Sequence, residues 1–396
     1  MVPVLAPPAT IGMLGGGQLG RYALMAAASM GYRTVVLDPD PSAPAGVISG
    51  EHLVAAYDDE SALRRLQLDA DVVTTEFENP PATSLDLLAG VVPVFPRPSA
   101  VAIAQDRIAE KSFLVENGFP VGPHLAIRAD SSGAAVDDAA IASLLTDGAI
   151  VKTARLGYDG KGQAPVEAGG GVAGVLAGIA ELGGVDVVVE ARLRLRTEVS
   201  VLVARTADGA EATWPVSENA HAGGILDVSV VPATVGPELT DRATGLAMAI
   251  ADALDYVGVL AVEMFVVDDD LGEHTLLINE LAPRPHNSGH WTLDAAATNQ
   301  FEQQIRAVCG LPLGATDLTA PAVAMVNLLG DLWFDTDGRR RSPDWAAALE
   351  SPHAWLHLYG KAEPRPGRKM GHLTVVADDA IAARARALAL RAAAVR

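Results

Sequence analysis

The N-terminal hydrophobic pattern alternates between short apolar runs and helix-like stretches. Ala9–Leu14 reads as a buried strand, Arg21–Met30 as a helix closed by Gly31, and Arg33–Leu37 as a second strand ending at Asp38. His52–Ala55 and Asp71–Thr75 continue the series, with a Ser61–Leu68 helix between them. Strands alternating with helices predict a parallel sheet. Pro93, Pro96 and Pro98 then punctuate the chain ahead of a helix expected over Ala100–Asn117. Further strands follow at Gly148–Lys152, Val185–Glu190 and Thr197–Ala204. Val257–Val267 and Thr275–Asn279 form two more around the acidic turn Asp268-Asp269-Asp270. Gly169-Gly170-Gly171 reads as a hinge or loop. From about Ala320 the chain turns Pro- and Gly-rich, and it ends in an Ala/Arg-rich stretch, Ala380–Arg396, expected to be helical. No internal repeat is visible.

A length of 396 residues exceeds what one hydrophobic core usually serves, which predicts two or three domains. The single cysteine, Cys309, excludes an internal disulfide or a Cys-based zinc site and suits a reducing compartment. The net charge of −20 argues against a general nucleic-acid binder, which needs a broad basic footprint. It leaves room for a local basic pocket that takes an anionic small molecule. Residues 1–20 carry no charge, but they have no basic leader region and are interrupted by Pro3, Pro7 and Pro8. No apolar run reaches the ~18 residues that span a bilayer. The expectation is a soluble, cytoplasmic protein with neither a nucleic-acid nor a membrane partner.

Five groups of residues carry candidate chemistry. Gly15-x-Gly17-x-x-Gly20 lies between a strand and a helix, with Asp38 ending the next strand. That is a dinucleotide fingerprint, in which glycines and a helix N-terminus approach a phosphate closely. By itself it fits an NAD or FAD enzyme, tight strand–helix packing, or a seat for another phosphate ligand. Lys152 ends an apolar strand and precedes the loop Gly157–Gly162, which contains Lys161. A glycine loop with a lysine can fold over a triphosphate, and the Walker A spacing is absent. Glu263 sits inside an apolar strand and Glu280 ends the next, so the two carboxylates are able to meet on one divalent ion, to form salt bridges, or to lie on an exposed edge face. Arg284-Pro285-His286-Asn287-Ser288-Gly289-His290 is too polar for a core and suits a site loop. Pro285 and Gly289 weigh against a helical His286/His290 metal pair. Finally, Lys361, Arg365, Arg368 and Lys369 against Glu363 make a local excess of +3, which suits a phosphate monoester or a solvated basic turn.

Taken together and in this order, these features resemble the 5-(carboxyamino)imidazole ribonucleotide synthetases, the PurK family of the ATP-grasp superfamily. The matching strings are Gly12–Arg21, Thr75-Glu76-Phe77-Glu78-Asn79, Gly157–Gly162, Asn279–Trp291 and Arg365–His372, which together span Gly12 to His372. The run Asn279–Trp291 is the most specific of them.

The resemblance implies an α/β and α+β architecture in three parts: a Rossmann-like pre-ATP-grasp domain at 1–110, an ATP-grasp domain at 111–316, and a small β-rich C-terminal domain at 317–396. It implies ATP and Mg²⁺ as cofactors, 5-aminoimidazole ribonucleotide and bicarbonate as substrates, and a homodimer. The implied reaction is ATP-dependent N-carboxylation through carboxyphosphate, giving ADP and phosphate in purine biosynthesis. By the same likeness Arg107 and Lys152 contact ATP phosphates under a lid made of Gly157, Tyr158, Asp159, Gly160, Lys161 and Gly162. Glu190 and Leu193 match the adenine hinge, Glu198 the ribose contact and His221 a nucleotide-site residue. Glu263 and Glu280 match the metal ligands, with Asn279 beside them. Glu76, Tyr158, Lys161, Arg284, His286, Lys361 and Arg368 match the ribonucleotide site, with Gln18 and Leu19 as additions. Lys152, Lys161, Arg284 and His286 form the implied catalytic group. Two positions depart from the pattern: Ala282 replaces an Asn common in the superfamily, and Arg192 in the hinge has no evident role in the sequence. Competing readings are a formate-using ATP-grasp transformylase or a biotin carboxylase and, from another class, an NAD-binding oxidoreductase or nucleotide-sensing regulator.

Overall fold

The computed structural model describes residues 4–129, 138–157, 159–268 and 274–395. The N-terminal apolar runs pair as a parallel sheet of β1 (Thr10–Leu14), β2 (Arg33–Leu37), β3 (Glu51–Leu53) and β4 (Val72–Thr75), in the order β3-β2-β1-β4. Every residue of β1 and β4 is buried, as strands covered on both faces require. The Gln18–Ser29 helix covers one face and packs on the Gln300–Val308 helix, where Cys309 lies fully buried. The Glu60–Asp69 helix covers the other.

The helix expected over Ala100–Asn117 is two helices, Pro98–Ala104 and Arg107–Glu116. Asp106 separates them. Its carboxylate accepts the Ile108 and Ala109 N–H groups at 2.9 and 3.3 Å and so starts a new helix. The second of these helices spans residues 110 and 111, where a domain boundary was expected.

A four-stranded antiparallel sheet follows: β5 (His124–Ile127), β6 (Ala149–Thr153), β7 (Gln163–Val166) and β8 (Val187–Ala191), ordered β5-β8-β6-β7. Gly171 opens the Gly171–Glu181 helix that backs it, so the triple glycine runs directly into a helix.

The largest sheet has nine strands: β9 (Leu195–Arg205), β10 (Glu211–Thr213), β11 (Ser217–Ala222), β12 (Ile225–Val231), β13 (Gly258–Asp268), β14 (His274–Ala282), β15 (Ala322–Leu329), β16 (Ala354–Leu358) and β17 (Lys369–Ala377). Their order is β14-β13-β9-β11-β12-β15-β17-β16, with β10 beside β9. Asp269 and Asp270 of the expected turn lie outside the described residues. The C-terminal strands do not fold as a separate layer: β15 pairs antiparallel with β12 and continues the central sheet. The Ala380–Ala393 helix covers β15 and β17. This continuity brings the loop between β16 and β17 to the same cleft as the glycine turn after β1. Among the described residues, no helix is long and apolar enough to cross a membrane.

Candidate active site

The glycine turn after β1 is already supplied with an anion. The Gly17 and Gly20 N–H groups donate to the two oxygens of Glu76 at 2.7 and 2.9 Å. No side chain caps this helix from its N-cap residue, so Glu76, from just beyond β4, satisfies the first-turn donors. A Cβ on Gly15 would lie 2.6 Å from Glu76 Cγ, and its φ of +96° independently requires glycine. Asp38 is equally committed. It accepts from Gly16 N–H at 2.6 Å, Asp40 N–H at 2.8 Å and the Tyr57 hydroxyl at 2.7 Å. The pyrophosphate seat and the ribose acceptor of a dinucleotide site are thus both filled from within, which removes the basis for an NAD or FAD reading. Burial pushes the Glu76 carboxyl up, against the pull of the Gly20 and Gly17 N–H groups, Arg284 and Lys361.

The second group of residues lies between the Arg107–Glu116 helix and strands β6, β8, β13 and β14. Glu263 and Glu280 face each other across β13 and β14, where the register shifts by a bulge that leaves Asn279 and Glu280 opposite one residue. Met264 and Ile278 point into the core on the other side. Arg107 donates to Glu280 at 2.9 Å, and His286 Nε2 lies 3.0 Å from Glu263. Burial works against the Glu280 charge, but Arg107 and Lys152 outweigh it and hold the carboxyl well below its ordinary range. Lys152 donates to Glu190 at 2.6 Å, and Lys111 lies 3.6 Å from the same carboxylate. His221 Nδ1 lies 3.0 Å from Glu198. Burial opposes the imidazolium there, yet Glu198 prevails and raises the ring above its usual range. The Asn279 Oδ1 atom is buried and has no hydrogen-bond partner. Two carboxylates and this orphaned carbonyl oxygen make an all-oxygen donor set of the kind that Mg²⁺ takes together with phosphate oxygens, so the residues fit that ion.

The glycine loop reaches across this group. Asp159 pairs with Lys369 at 2.7 Å, and Gly160 meets the turn between β11 and β12, where a Cβ on Gly224 would come within 2.7 Å of Gly160 Cα. Tyr158 lies outside the described residues.

Beyond the loop is a cleft of about 330 Å³ lined by Gln18, Asp159, Lys161, Lys361, Arg365, Arg368 and Lys369. Lys361 donates to the Lys369 carbonyl at 2.8 Å and sits 5.5 Å from the Tyr359 ring centre. Burial, with the charges of Arg368 and Lys369, pushes its amine down to about 8, against Glu76 and Asp159. Arg368 donates to the Glu363 carbonyl at 2.7 Å. Leu19 turns its side chain into the core and is not among the residues lining the cleft.

The polar loop after β14 is a built structure. Gln300 accepts from His286 N–H and donates to its carbonyl, both at 2.8 Å. The Ser288 hydroxyl lies 2.8 Å from Ser200 Oγ and 2.9 Å from His286 Nδ1. Arg284 donates to Glu78 at 2.6 Å. Burial disfavours the Glu78 charge, but Arg284 overrides it and lowers the carboxyl. His290, by contrast, is fully buried and stacked 4.7 Å from His372, so it does not share a metal with His286. Burial pushes both stacked rings far below the usual imidazole range.

The structure therefore gathers Arg107, Lys152, Glu190, Glu263, Asn279, Glu280, Arg284 and His286 around one cleft, with Glu198 and His221 on the neighbouring strands. Leu193 stands apart at the hinge end of β8, near Gly122. Arg192 pairs with Glu167 at 3.3 Å on the surface, which accounts for it. Sequence reasoning missed Glu110, Lys111 and Gln300, quoted Glu78 only within a matching string, and placed Lys369 in the basic cluster without naming it at the site. The only signal was the spacing of Arg107, Glu110 and Lys111, which puts all three on one helix face.

Comparison with known proteins matches this geometry. Residues 8–105 match the ribonucleotide synthetase preATP-grasp domain, 112–301 the ATP-grasp domain, and 323–386 the phosphoribosylaminoimidazole carboxylase C-terminal domain. Fold and site thus define an ATP-grasp ligase. The N5-carboxyaminoimidazole ribonucleotide synthase of Brucella melitensis is 45% identical over 370 residues, covering 93% of this chain and 97% of that one. The Staphylococcus aureus N5-carboxyaminoimidazole synthetase complexed with ADP superposes with a TM-score of 0.86 at 35% identity, over 98% of each chain. The Aspergillus clavatus enzyme in complex with ADP and 5-aminoimidazole ribonucleotide gives 0.83 at 28% identity, again over 98% of each. The chain belongs to the N5-carboxyaminoimidazole ribonucleotide synthase family.

Proposed function

We propose that this chain carboxylates the exocyclic amine of 5-aminoimidazole ribonucleotide, using bicarbonate and ATP through carboxyphosphate. One observation supports the site assignment: the segment Asn279–His286 puts Glu280 and Arg284 on one cavity with Arg107, and its His286 reaches back to Glu263 at 3.0 Å.

In this reading Arg107 and Lys152 take the phosphates, while the Gly157–Gly162 loop closes over them and excludes water. Glu263 and Glu280, with Asn279 nearby, would hold Mg²⁺, which when bound spreads the charge that develops on the transferred phosphoryl group. Bicarbonate oxygen attacks the γ-phosphorus and ADP leaves. Carboxyphosphate releases CO₂ in the closed cleft, and the amine held by Arg284, His286 and Lys161 attacks it. Lys361 and Arg368 anchor the ribonucleotide phosphate. The amine proton passes to the departing phosphate or to His286. Glu190 and Leu193 serve the adenine, Glu198 the ribose and His221 the nucleotide site, while Glu76, Gln18, Leu19 and Tyr158 complete the ribonucleotide cleft. A homodimer and a cytoplasmic location belong to the same proposal, and sedimentation tests the first.

The assignment is tested by ADP release from pure protein with aminoimidazole ribonucleotide and either bicarbonate or formate. Release that follows bicarbonate supports it; release that follows formate identifies a transformylase. The Glu280→Gln variant should lose turnover by several orders of magnitude with its circular dichroism unchanged, and near-normal turnover removes the metal role.

A further inference from the structure

β14 is an edge strand, and no strand pairs with its outer side along residues 279–281 among the described residues. Exposed edge groups on a buried strand must find other partners. Ile278 N–H finds the Pro120 carbonyl at 2.8 Å. The next groups are met by side chains of the Arg107–Glu116 helix. Lys111 Nζ donates to the Asn279 carbonyl at 2.8 Å, and Glu110 accepts from Leu281 N–H at 2.6 Å. Both side chains are almost wholly buried, at 3% and 2% exposure, where an unneeded charge would not be retained. The peptide groups before and after Glu280 are thus each tied to one member of a consecutive Glu-Lys pair. One turn earlier on the same helix face, Arg107 holds the Glu280 carboxylate itself. Lys111 also lies 3.6 Å from Glu190, so the same amine joins the end of β8 to this point of β14.

We propose that Glu110 and Lys111 are positioning residues: they fix the bulged backbone of Asn279–Leu281 so that Glu280 and the Asn279 side-chain oxygen Oδ1 face Glu263 in the arrangement a divalent cation requires. This rests on the reading that Glu263 and Glu280 are the metal ligands. Glu110 and Lys111 both act through the backbone of Asn279–Leu281. Glu110 needs only to accept an N–H bond, and Lys111 only to bind a carbonyl while balancing Glu190.

The test titrates Mn²⁺ into full-length protein saturated with ADP and reads free Mn²⁺ by its paramagnetic resonance signal. Glu110→Leu and Lys111→Met should each raise the half-saturating Mn²⁺ concentration roughly tenfold or more, the usual scale for groups that orient metal ligands. Glu110→Gln keeps an acceptor of the same shape and should bind Mn²⁺ much as the parent does. A purely structural role would lower the urea midpoint of the Leu and Met variants without moving Mn²⁺ affinity in the folded protein. If Glu280→Gln retains parental Mn²⁺ binding, the metal reading itself fails. If Glu280→Gln loses Mn²⁺ while Glu110→Leu and Lys111→Met keep it, the positioning role is overturned and the metal site stands. Equal loss in Glu110→Gln and Glu110→Leu also overturns it, because the charge and not the acceptor would then be at work. Should Glu110→Leu not fold, Lys111→Met and Glu110→Gln decide the matter.

Discussion

Replacing Glu76 with glutamine tests whether this carboxylate fills the anion seat of the N-terminal helix. In the parent, its two oxygens accept from Gly17 and Gly20 N–H at 2.7 and 2.9 Å. Glutamine keeps one acceptor and turns an NH₂ group toward the second donor, so one bond is lost and its donor is left buried. A hydrogen bond to a charged acceptor is worth about 1.5–3 kcal/mol. The lost negative charge at the helix N-terminus, worth about 0.3–1 kcal/mol, is offset by relief of the burial that pushes this carboxyl up. The expected cost is therefore about 1.5–3 kcal/mol, or a roughly 10- to 200-fold larger local opening constant. Hydrogen exchange followed by mass spectrometry on a peptide covering residues 15–21 reads this directly, with the urea midpoint of the N-terminal sheet as a second measure. Parental exchange rates for this peptide with an unchanged midpoint would refute the seat assignment.

Two further outcomes follow from the cleft. With its amine pushed down to about 8, Lys361 is charged below that pH and neutral above it, so the KM for the ribonucleotide should rise as pH passes 8. Lys361→Arg, charged throughout, should flatten the profile, and a parental profile already flat through pH 8 would count against a phosphate role for this lysine. Gly224→Ala would place a Cβ 2.7 Å from Gly160 Cα at a φ of +78°, a conformation that costs a non-glycine residue about 1–2 kcal/mol. It should hold the glycine loop off the β11–β12 turn and raise the ratio of ADP released to ribonucleotide carboxylated. An unchanged ratio would show that this contact does not govern closure.

What the sequence revealed and what it hid divide along a physical line. The paired strands that carry Glu263 and Glu280 were legible, because a lone carboxylate in an apolar strand stands out against its neighbours. The bulge that turns Asn279 toward the same side was not, since it depends on cross-strand register. Glu110 and Lys111 carried no reading from the sequence beyond their place in a helical stretch. Only the approach of an edge strand some 170 residues away makes them buried partners. Asp106 splits a helix without a glycine or proline to announce it. The glycine fingerprint left a dinucleotide site, tight strand–helix packing and another phosphate seat open, and the structure shows a packed turn capped by Glu76. Its ligand could not be read, because the occupant is a side chain 59 residues beyond Gly17. The continuity of the central sheet into β15 was likewise invisible, being a choice of strand partner and not of strand propensity.

The charge of −20 can now be placed against the anionic ligands. Several of the cations in the cleft already face a carboxylate: Arg107 faces Glu280, Lys152 and Lys111 face Glu190, Arg284 faces Glu78, and Lys369 faces Asp159. A buried cation without such a partner would be expensive, so the acidic residues hold the basic ones in place ahead of any ligand. Under the proposed assignment, entry of phosphates with a divalent cation would amount to an exchange of partners. The guanidinium and ammonium groups would turn to phosphate oxygens, and Glu280 would exchange Arg107 for the cation. Neither charge would be left alone during that exchange. Ligand and cation would therefore favour each other's binding, and the negative total of the chain would not oppose the arrival of its anions.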